Sequence, residues 1–504
     1  MADILPRLLS FSPRLQSSQG ISDEDYDEQI RNLVTYLKQT FPGKVIGTVS
    51  DNEDLLEHLD PSLHSLSYLF IHHSCVLAVQ SRTKETFPED VQPGGRLWSK
   101  ALVFLKEFDP VQVRYAGQEW RRLVELVAKA AEVVSKPLLA VQPIRDAMLR
   151  LDPSGSSFTS THVLLSRLCL HARAYAVALP IIDKDICHFS TSSDQVYLKR
   201  SRPPLCAQHQ TSATFITYAS GFSAKLSYRD HLQYFLYGSM IYMGLKQWGK
   251  ALHFLNVVIS APCVNSVSMI MVEAYKKWVL VSLLEKGAPI PLPNATSPQA
   301  AKVYRSLARP YDALGEAFKS GDFDRLRAEV DVGQSIWHMD NNTGLVLQVL
   351  VAFRRYSVLR LGSTFAALTI ADVAHRTSPD PLDVEETEIF VASLIMSRTL
   401  DATLLHSNYG KGPTMLRFSA AASSTDASLE ASIRNQLIQE RRRLMLLMDN
   451  VEESDRKLEL SKEYVDHLRK SQKRKDNTAK DGGPDVVRDG NDFDIDEDMM
   501  GDLQ

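Results

Sequence analysis

Two stretches of the chain align with each other without a gap, and this internal repeat limits the folds that the sequence can adopt. Residues 168–186 (LCLHARAYAVALPIIDKDI) match residues 241–259 (IYMGLKQWGKALHFLNVVI) at an offset of 73 residues. Tyr175 falls on Trp248, and a weaker third copy places Phe323 in the same aromatic position. This offset is about two tetratricopeptide-like units of roughly 34 residues each. The repeat therefore predicts helix pairs in a right-handed stack, a fold that presents long surfaces to partners.

The rest of the N-terminal half also has the periodicity of helices. Apolar residues recur at three- and four-residue steps in 25–37, 98–105 and 120–134. The stretch 190–214 is polar, contains a Pro-Pro pair and predicts a long exposed insertion. We therefore predict a mainly α protein in which residues 1–225 form an N-terminal helical-repeat region.

Residues 345–420 differ in pattern from the repeats and form the second part of a predicted domain at 226–420. Their order is a helix, a short extended piece at 363–368, two helices and a hairpin of alternating strands. Thr369 precedes Asp372 by three residues, which is the spacing of a capping box at a helix start. This order of elements predicts a winged helix.

The charges of the predicted winged helix argue against DNA binding. In a DNA-reading domain the second helix enters the major groove, where Arg and Lys contact phosphates and guanines. Residues 380–397 contain no Lys or Arg. Their acidic residues are Asp380, Asp383, Glu385, Glu386 and Glu388. These acids repel phosphate, so we predict a winged helix that contacts proteins. Nucleic-acid binding is the rival hypothesis, and it would depend on Arg354, Arg355 and Arg360.

A long helix is predicted over 426–475, because neither Gly nor Pro interrupts it. Its apolar residues repeat every seven positions in a strong series, with a second, mixed series beside it. The apolar members, which we call the helical-bundle seam, are Leu437, Leu444, Leu447, Val451, Leu458, Val465 and Leu468. One strong and one imperfect series favour a helix that packs in a bundle over a two-stranded coiled coil. A single helix folded back on its own domain is the alternative. Residues 476–504 are acidic and predict a disordered tail.

The sequence contains no motif of a common catalytic or cofactor site. HExxH, HxH, GxxxxGK[ST], GxGxxG and GxSxG are all absent. Five scattered cysteines do not form a disulfide framework. The net charge of −4 gives no global argument for nucleic acid, and no apolar run reaches the ~18 residues of a membrane span. We therefore expect a protein without catalytic activity or cofactor, located in the cytoplasm and nucleus and not in a membrane.

The combination of helix pairs followed by a winged helix resembles the PCI-domain family. Four blocks are more specific and are similar to the subunit 3 family of the COP9 signalosome. They are 237–255 (YGSMIYMGLKQWGKALHFL), 273–287 (EAYKKWVLVSLLEKG), 339–350 (MDNNTGLVLQVL) and 363–376 (STFAALTIADVAHR). The resemblance extends, with gaps, from about residue 160 to 420. It implies a non-catalytic scaffold subunit of a complex that removes Nedd8 from the cullins of cullin-RING ligases, with the zinc-dependent site in another subunit.

The resemblance also implies where this chain would meet its partners. Winged helices of the family pack edge to edge, and C-terminal helices gather in one bundle, which would contain the helical-bundle seam. The residues implied for the winged-helix edge are Thr399, Asp401, Thr403, Leu405, Leu416 and Phe418. Arg398 stands where most PCI domains have a glycine before the first wing strand. The expected partners are other signalosome subunits in a hetero-oligomer, with subunits 1 and 8 as neighbours. A PCI subunit of the proteasome lid or of the translation initiation factor 3 complex is the alternative.

Overall fold

The computed structural model describes residues 8–9, 22–40, 56–189, 204–206, 212–263, 266–377, 383–406, 413–418, 427–459 and 462–480. Within these ranges the protein is mainly helical, as predicted. Most of the predicted insertion at 190–214, and residues 481–504 of the predicted tail, lie outside the described residues. Residues 476–480, predicted to begin the tail, are instead the end of a helix.

Helices make up most of the described residues in the first two thirds of the chain. They are α1 (Asp23–Thr40), α2 (Ser65–Thr83), α3 (Arg96–Glu107), α4 (Pro110–Val113), α5 (Gly117–Val133), α6 (Leu138–Leu151), α7 (Ser160–His171), α8 (Tyr175–Ile182), α9 (Ser212–Phe215), α10 (Tyr228–Gly244), α11 (Trp248–Ile259), α12 (Met269–Lys286), α13 (Pro298–Leu307), α14 (Arg309–Ser320), α15 (Phe323–Val332) and α16 (Gln334–Met339). A 3-10 turn spans Glu89–Val91. The strands β1 (Ser157–Phe158) and β2 (His188–Phe189) form a short parallel pair.

The two aligned stretches are helix pairs joined by the same turn. Arg173 ends the turn between α7 and α8 with φ 53°, and Lys246 does so between α10 and α11 with φ 57°. The backbone N–H groups of Ala172, Arg173 and Ala174 donate to Leu168, Leu170 and Cys169, and those of Leu245, Lys246 and Gln247 donate to Ile241, Met243 and Tyr242. The second set is the first set moved by 73 residues. The repeat seen in the sequence is therefore a repeat of backbone geometry.

The third, weaker copy also has a residue with positive φ at this place, but its hydrogen bonds differ, because the N–H of Asp322 donates to the Ser320 hydroxyl at 3.5 Å. Gly321 lies between α14 and α15 with φ 79°, two residues before Phe323, as Arg173 lies two residues before Tyr175. The small residue three positions after the aromatic residue is buried in the first two copies, where Ala178 and Ala251 have no exposed surface. A small side chain at this position lets the two helices of a pair approach closely.

A continuous apolar core fills the helical part of the chain and ends in the last long helix before the sheet. It extends from the N-terminal helices to Val346, Val349, Ala352 and Phe353, which lie on α17 (Thr343–Gly362). The core crosses the predicted boundary between residues 225 and 226 without interruption, since Phe222 and Leu232 both belong to it.

The elements after α17 occur in the order that the sequence predicted for 345–420. They are β3 (Ala367–Thr369), α18 (Ile370–Thr377), α19 (Val384–Met396), β4 (Ala402–Leu405) and β5 (Met415–Phe418). Only the end of the predicted extended piece at 363–368 is a strand, because Ser363, Thr364 and Phe365 donate their N–H groups to the last turn of α17. Thr369 and Asp372 form the predicted capping contact, with Asp372 N at 3.1 Å from Thr369 Oγ1.

The three strands form an antiparallel sheet in the order β3-β5-β4. Leu416 in β5 lies opposite Leu368 on one side and Leu404 on the other. This small domain has a core of its own, made of Val358, Ile370, Val373, Val391, Leu394, Leu400, Ala402 and Leu416. Since Val358 lies on α17, one helix contributes to both cores.

The chain divides into two compact units, Met1–Gln436 and Leu437–Gln504. The C-terminal region contains α20 (Ala427–Glu459) and α21 (Lys462–Lys480), where the sequence predicted one helix over 426–475. Residues 460–461 between them lie outside the described residues.

Candidate assembly surfaces

The first candidate surface is the free edge of the sheet, which β4 forms. In the order β3-β5-β4, the strand β4 pairs with β5 on one side and with no described strand on the other. Thr403 and Leu405 alternate with buried Ala402 along it, and Leu405 is 48% exposed. Thr399 and Asp401, just before the strand, are exposed as well. We call these four residues the wing edge. An unpaired strand of this kind can accept a strand from another protein.

Two residues that the sequence analysis assigned to this edge do not lie there. Leu416 and Phe418 belong to β5, the central strand, whose backbone pairs with both neighbours. Leu416 has no exposed surface and is part of the small core. The assignment was wrong because a hairpin read from sequence shows only its own two strands. The third strand, β3, is separated from the hairpin by two helices and covers its other side.

The entry to β4 depends on Arg398, which has φ 55°. Its N–H donates to the carbonyl of Ile395 at 3.0 Å, and the N–H of Thr399 donates to that of Leu394 at 3.0 Å. This is the turn that closes the repeat helices, used here to end α19. A φ in this range favours glycine, the residue that the resemblance expects at this position. The arginine therefore preserves the turn at the cost of a strained backbone.

The acidic second helix of the winged helix, α19, is tied to α17 by a buried arginine. Arg354 donates to Glu386 Oε1 at 3.0 Å and to Thr387 Oγ1 at 3.1 Å, and its guanidinium lies 4.5 Å from the centre of the Phe390 ring. Asp383 caps the helix by accepting from the N–H of Glu386 at 2.9 Å. Two of the five acids therefore have structural roles. Asp380 lies outside the described residues.

The other two arginines of the nucleic-acid hypothesis bond to backbone carbonyls of the repeats, although Arg360 is exposed. Arg355 donates to the carbonyl of Leu284 at 2.8 Å, and Arg360 donates to that of Gly287 at 3.2 Å. The hydroxyl of Tyr356 also donates to Leu284, at 3.2 Å. These groups meet the carbonyl end of α12, where cations and donors are favourable. We call this set the arginine brace. Its guanidiniums join α17 to the repeats.

A buried polar network links two of the blocks that carried the resemblance. Lys277 Nζ, in the block 273–287, donates to Asn342 Oδ1 at 3.0 Å. The amide of Asn342 donates to the hydroxyl of Tyr311 at 2.8 Å, and that hydroxyl donates to Asp340 at 2.7 Å. Burial lowers the pKa of Lys277, and Glu273 opposes this effect. Sequence analysis missed the network, although lysines beside the apolar run WVLVSLL were a signal that it could have used.

The second candidate surface is the helical-bundle seam. Leu437, Leu444, Val451 and Leu458 are 66%, 60%, 58% and 55% exposed on α20, and Leu468 on α21 is 43% exposed. Leu447 and Val465 are half-buried. Beside the seam, Met445, Leu446 and Met448 are also about 60% exposed. Five consecutive apolar residues, 444–448, cover the full circumference of a helix, at about 100° per residue.

The described part of the chain offers no other strong candidate for chemistry. Among its residues, no three His, Cys, Asp or Glu side chains come together in a way that could hold a metal ion. A search of the same residues for a helix long and apolar enough to cross a membrane found none.

Comparison with known proteins gives these surfaces a context. Residues 27–300 match a family model described as COP9 signalosome complex subunit 3, N-terminal helical repeats. The chain is 44% identical, over the full length of both sequences, to COP9 signalosome complex subunit 3 of Emericella nidulans.

The chain belongs to the COP9 signalosome subunit 3 family.

Two further members show how widely this similarity extends. The subunit 3 of Neurospora crassa is 26% identical over 92% of this chain and 91% of its own. That of Arabidopsis thaliana is 27% identical over 70% of this chain and 71% of its own. Membership in the subunit 3 family selects the signalosome over the proteasome lid and the initiation factor 3 complex.

Proposed function

We propose that this protein is a non-catalytic scaffold subunit of the COP9 signalosome, the complex that removes Nedd8 from the cullin subunits of cullin-RING ligases. It would assemble with other subunits through the wing edge and the helical-bundle seam, with subunits 1 and 8 as its neighbours. The 44% identity to a full-length subunit 3 supports the choice of complex. We further propose that the protein is located in both cytoplasm and nucleus. Fluorescence imaging of a tagged chain tests this location.

The single observation that carries the scaffold role is the apolar surface of α20. A helix that packs on one neighbour needs an apolar stripe on one face only. The run at 444–448 is apolar on all sides, and four of its members are about 60% exposed. Burial of so much apolar surface needs several other helices around it, because each square ångström left in water costs about 25 cal/mol. A bundle of C-terminal helices from several subunits meets that need.

The test replaces Leu444, Val451 and Leu458 with Asp in the tagged full-length chain. Three charges in the bundle would have to be desolvated without partners, so we expect loss of the other subunits from the purified complex. The measurement is quantitative mass spectrometry of what co-purifies, together with the fraction of cullin that carries Nedd8. That fraction should rise when this variant replaces the wild-type chain.

A matched control keeps the same charge change away from the seam. Asn435, Gln439 and Asn450 lie on α20 and do not belong to the seam, and their replacement with Asp also adds three negative charges. This control should assemble normally. Normal assembly of the seam variant would refute the bundle role, whereas co-purification of proteasome or initiation-factor subunits would place the chain in another PCI complex.

A further inference from the structure

A polar cavity lies between α2 and α5. It measures about 80 Å³, in a measure in which one water molecule needs at least ~10–15 Å³. Its apolar wall includes buried Leu69, Val76 and Leu123. Its polar lining comes from His72, His73 and Gln80 on α2 and from Glu119 and Arg122 on α5. The cavity has room for a group larger than a single water.

The carboxylate of Glu119 is the unusual member of this lining. The residue is only 8% exposed, and within the described part of the chain no group donates a hydrogen bond to its carboxylate or forms an ion pair with it. Its position in the first turn of α5 makes its charge favourable for the helix dipole. Its oxygens are not among the fully buried atoms, so the carboxylate faces the cavity without a protein donor.

The other polar groups on α2 also present acceptors to the cavity. The amide nitrogen of Gln80 already donates to the carbonyl of Thr86 at 2.6 Å, which leaves its oxygen as an acceptor. His72 Nε2 lies 3.0 Å from the carbonyl of Leu97 and must carry the proton there. Burial lowers the pKa of His72 to about 4, so Nδ1 is an acceptor at neutral pH.

His73 completes the set. Burial lowers its pKa, the charge of Arg122 lowers it further, and Glu119 opposes both effects. Its neutral ring offers one nitrogen as an acceptor. The exposed side chain of Arg122 is the one cation of the lining, and it does not come within ion-pair distance of Glu119. A carboxylate, an amide oxygen and imidazole nitrogens on an apolar wall match an ammonium group, which has three donors on an apolar stem.

We propose that this cavity binds a lysine side chain of a neighbouring protein, with the ammonium on Glu119 and the aliphatic stem on the leucine and valine wall. The site goes beyond the proposed scaffold role, because it lies in the repeats and does not involve the wing edge or the helical-bundle seam.

The first experiment tests the cavity in the purified full-length chain. N-acetyl-lysine methylamide is titrated while the imidazole signals of ¹³C-histidine-labelled protein are followed by NMR. N-acetyl-norleucine methylamide has nearly the same stem without the ammonium and serves as the control probe. We expect a saturable shift of the His73 signal with the lysine probe alone. Glu119→Gln should weaken that binding by about tenfold or more.

Matched variants separate this site from general charge effects. Glu125→Gln removes an acid of the same helix that pairs with Arg121 at 3.3 Å, and it should leave probe binding unchanged. Arg122→Gln should tighten binding, because it removes a like charge. Equal shifts with both probes, no saturation, or unchanged binding in Glu119→Gln would overturn the proposal. The free energies of unfolding of Arg122→Gln, Glu119→Gln and the double variant provide one more check. If the two effects are not additive, Arg122 is the partner of Glu119 and the proposal fails.

The second experiment identifies the source of the lysine in the native assembly. A carbodiimide joins a carboxylate to an amine in direct contact, and mass spectrometry locates the amide. We expect Glu119 linked to a lysine of another protein. A link to a lysine of the same chain, or no link while Glu125 reacts, would refute docking of a neighbour. Either result leaves the scaffold proposal intact, since that proposal is tested by the seam variant.

Discussion

At the scale of single residues, this chain repeatedly places residues other than glycine where glycine is favoured. Lys84, Ser135, Arg173, Lys246, Asn341 and Arg398 all have φ between 53° and 58°. Each L-residue in this region pays roughly 1–2 kcal/mol of steric strain. The alignment of Arg173 with Lys246 was visible in the sequence, but their conformation was not. A search for glycine at helix ends overlooks a turn that is closed by an arginine or a lysine.

Arg398 gives the first prediction. Arg398→Gly relieves the backbone strain but raises the conformational entropy of the unfolded chain. The free energy of unfolding should therefore stay equal or rise by up to about 1 kcal/mol. Arg398→Val should lower it by about 2 kcal/mol, because a β-branched residue is a stronger outlier at positive φ. Hydrogen exchange of residues 394–405 measures both effects locally. Equal protection in the two variants would mean that the turn does not depend on this conformation.

The network around Lys277 gives the second prediction. Asn342→Leu removes one of the two acceptors of a buried ammonium and leaves Glu273 at 3.5 Å as the other, and we expect the free energy of unfolding to fall by about 1–3 kcal/mol. Lys277→Met in the same chain should recover part of this loss, since the buried charge with an incomplete set of acceptors is then gone. Urea denaturation of the two single variants and the double variant gives the coupling. Additive effects would show that the two side chains act independently.

At the scale of elements, the sequence was informative where a pattern is local. The helix pairs, the capping contact of Thr369 with Asp372 and the order of elements after residue 345 all follow from residues close together in the chain. The order of the strands does not, because β3 reaches β5 across two helices. For this reason Leu416 and Phe418 were assigned to an edge that belongs to β4. Burial of Glu119 and Arg354 was equally beyond reach, since it depends on helices distant in sequence.

The packing of α10 on α11 gives the third prediction. A Cβ on Gly238 would lie 2.6 Å from Cε1 of the buried Phe254 ring, so Gly238→Ala should cost about 1–3 kcal/mol. Gly344→Ala, in the first turn of α17, is the matched control because nothing lies within 4 Å of its Cβ. This control should be neutral or stabilise by up to about 1 kcal/mol. Thermal unfolding distinguishes the two, and equal shifts would refute the packing argument.

The start of α7 gives the fourth prediction, on pH. Burial lowers the pKa of His162 to about 4, with Asp152 opposing and Lys184 adding to the effect. The unfolded chain, with a histidine pKa near 6.5, therefore binds this proton more tightly. Stability falls as the pH drops from about 6.5 to 4, by at most roughly 1.4 kcal/mol per pH unit.

His162→Gln removes the titrating imidazole and keeps the capping contact at the start of α7. His162 Nδ1 accepts from the N–H of Thr159 at 3.2 Å, and glutamine at this position of a capping box can accept it too. Urea denaturation at several pH values gives the free energy of unfolding as a function of pH. Between pH 4 and 6.5 its slope should be smaller in the variant by roughly 1.4 kcal/mol per pH unit, which corresponds to one bound proton. An unchanged slope would mean that His162 is not the group that loses stability there.

At the scale of the whole molecule, the residues assigned to partner surfaces are different from those that hold the fold. The arginine brace and the Arg354 contacts bond within the fold, whereas most residues of the wing edge and of the helical-bundle seam are exposed. This division explains why an acidic winged helix can coexist with three arginines on the preceding helix. It also means that assembly can be impaired without unfolding the chain.

The wing edge gives the fifth prediction. Thr403→Lys together with Leu405→Lys places two charges on the unpaired strand, a change that blocks addition of a further strand. We expect weaker association with the adjoining subunit and an unchanged melting temperature, measured by co-purification and by thermal unfolding. Met415→Lys, on the central strand at a 41% exposed position, is the control and should assemble normally. Wild-type assembly of the double variant would exclude this edge as an interface.

Because α17 contributes Phe353 to one core and Val358 to the other, the two folded parts cannot be exchanged as independent cassettes. A chimaera joined in the loop at 363–366 would combine a foreign winged helix with an α17 from the other parent. The residue at position 358, which contributes to the core of the winged helix, would then come from the wrong parent. Recombination between relatives in evolution would meet the same obstacle. A viable crossover must therefore fall before α17, so that this helix and the winged helix come from the same parent. The arginine brace of that parent must then bond to the carbonyls at the end of α12 from the other parent.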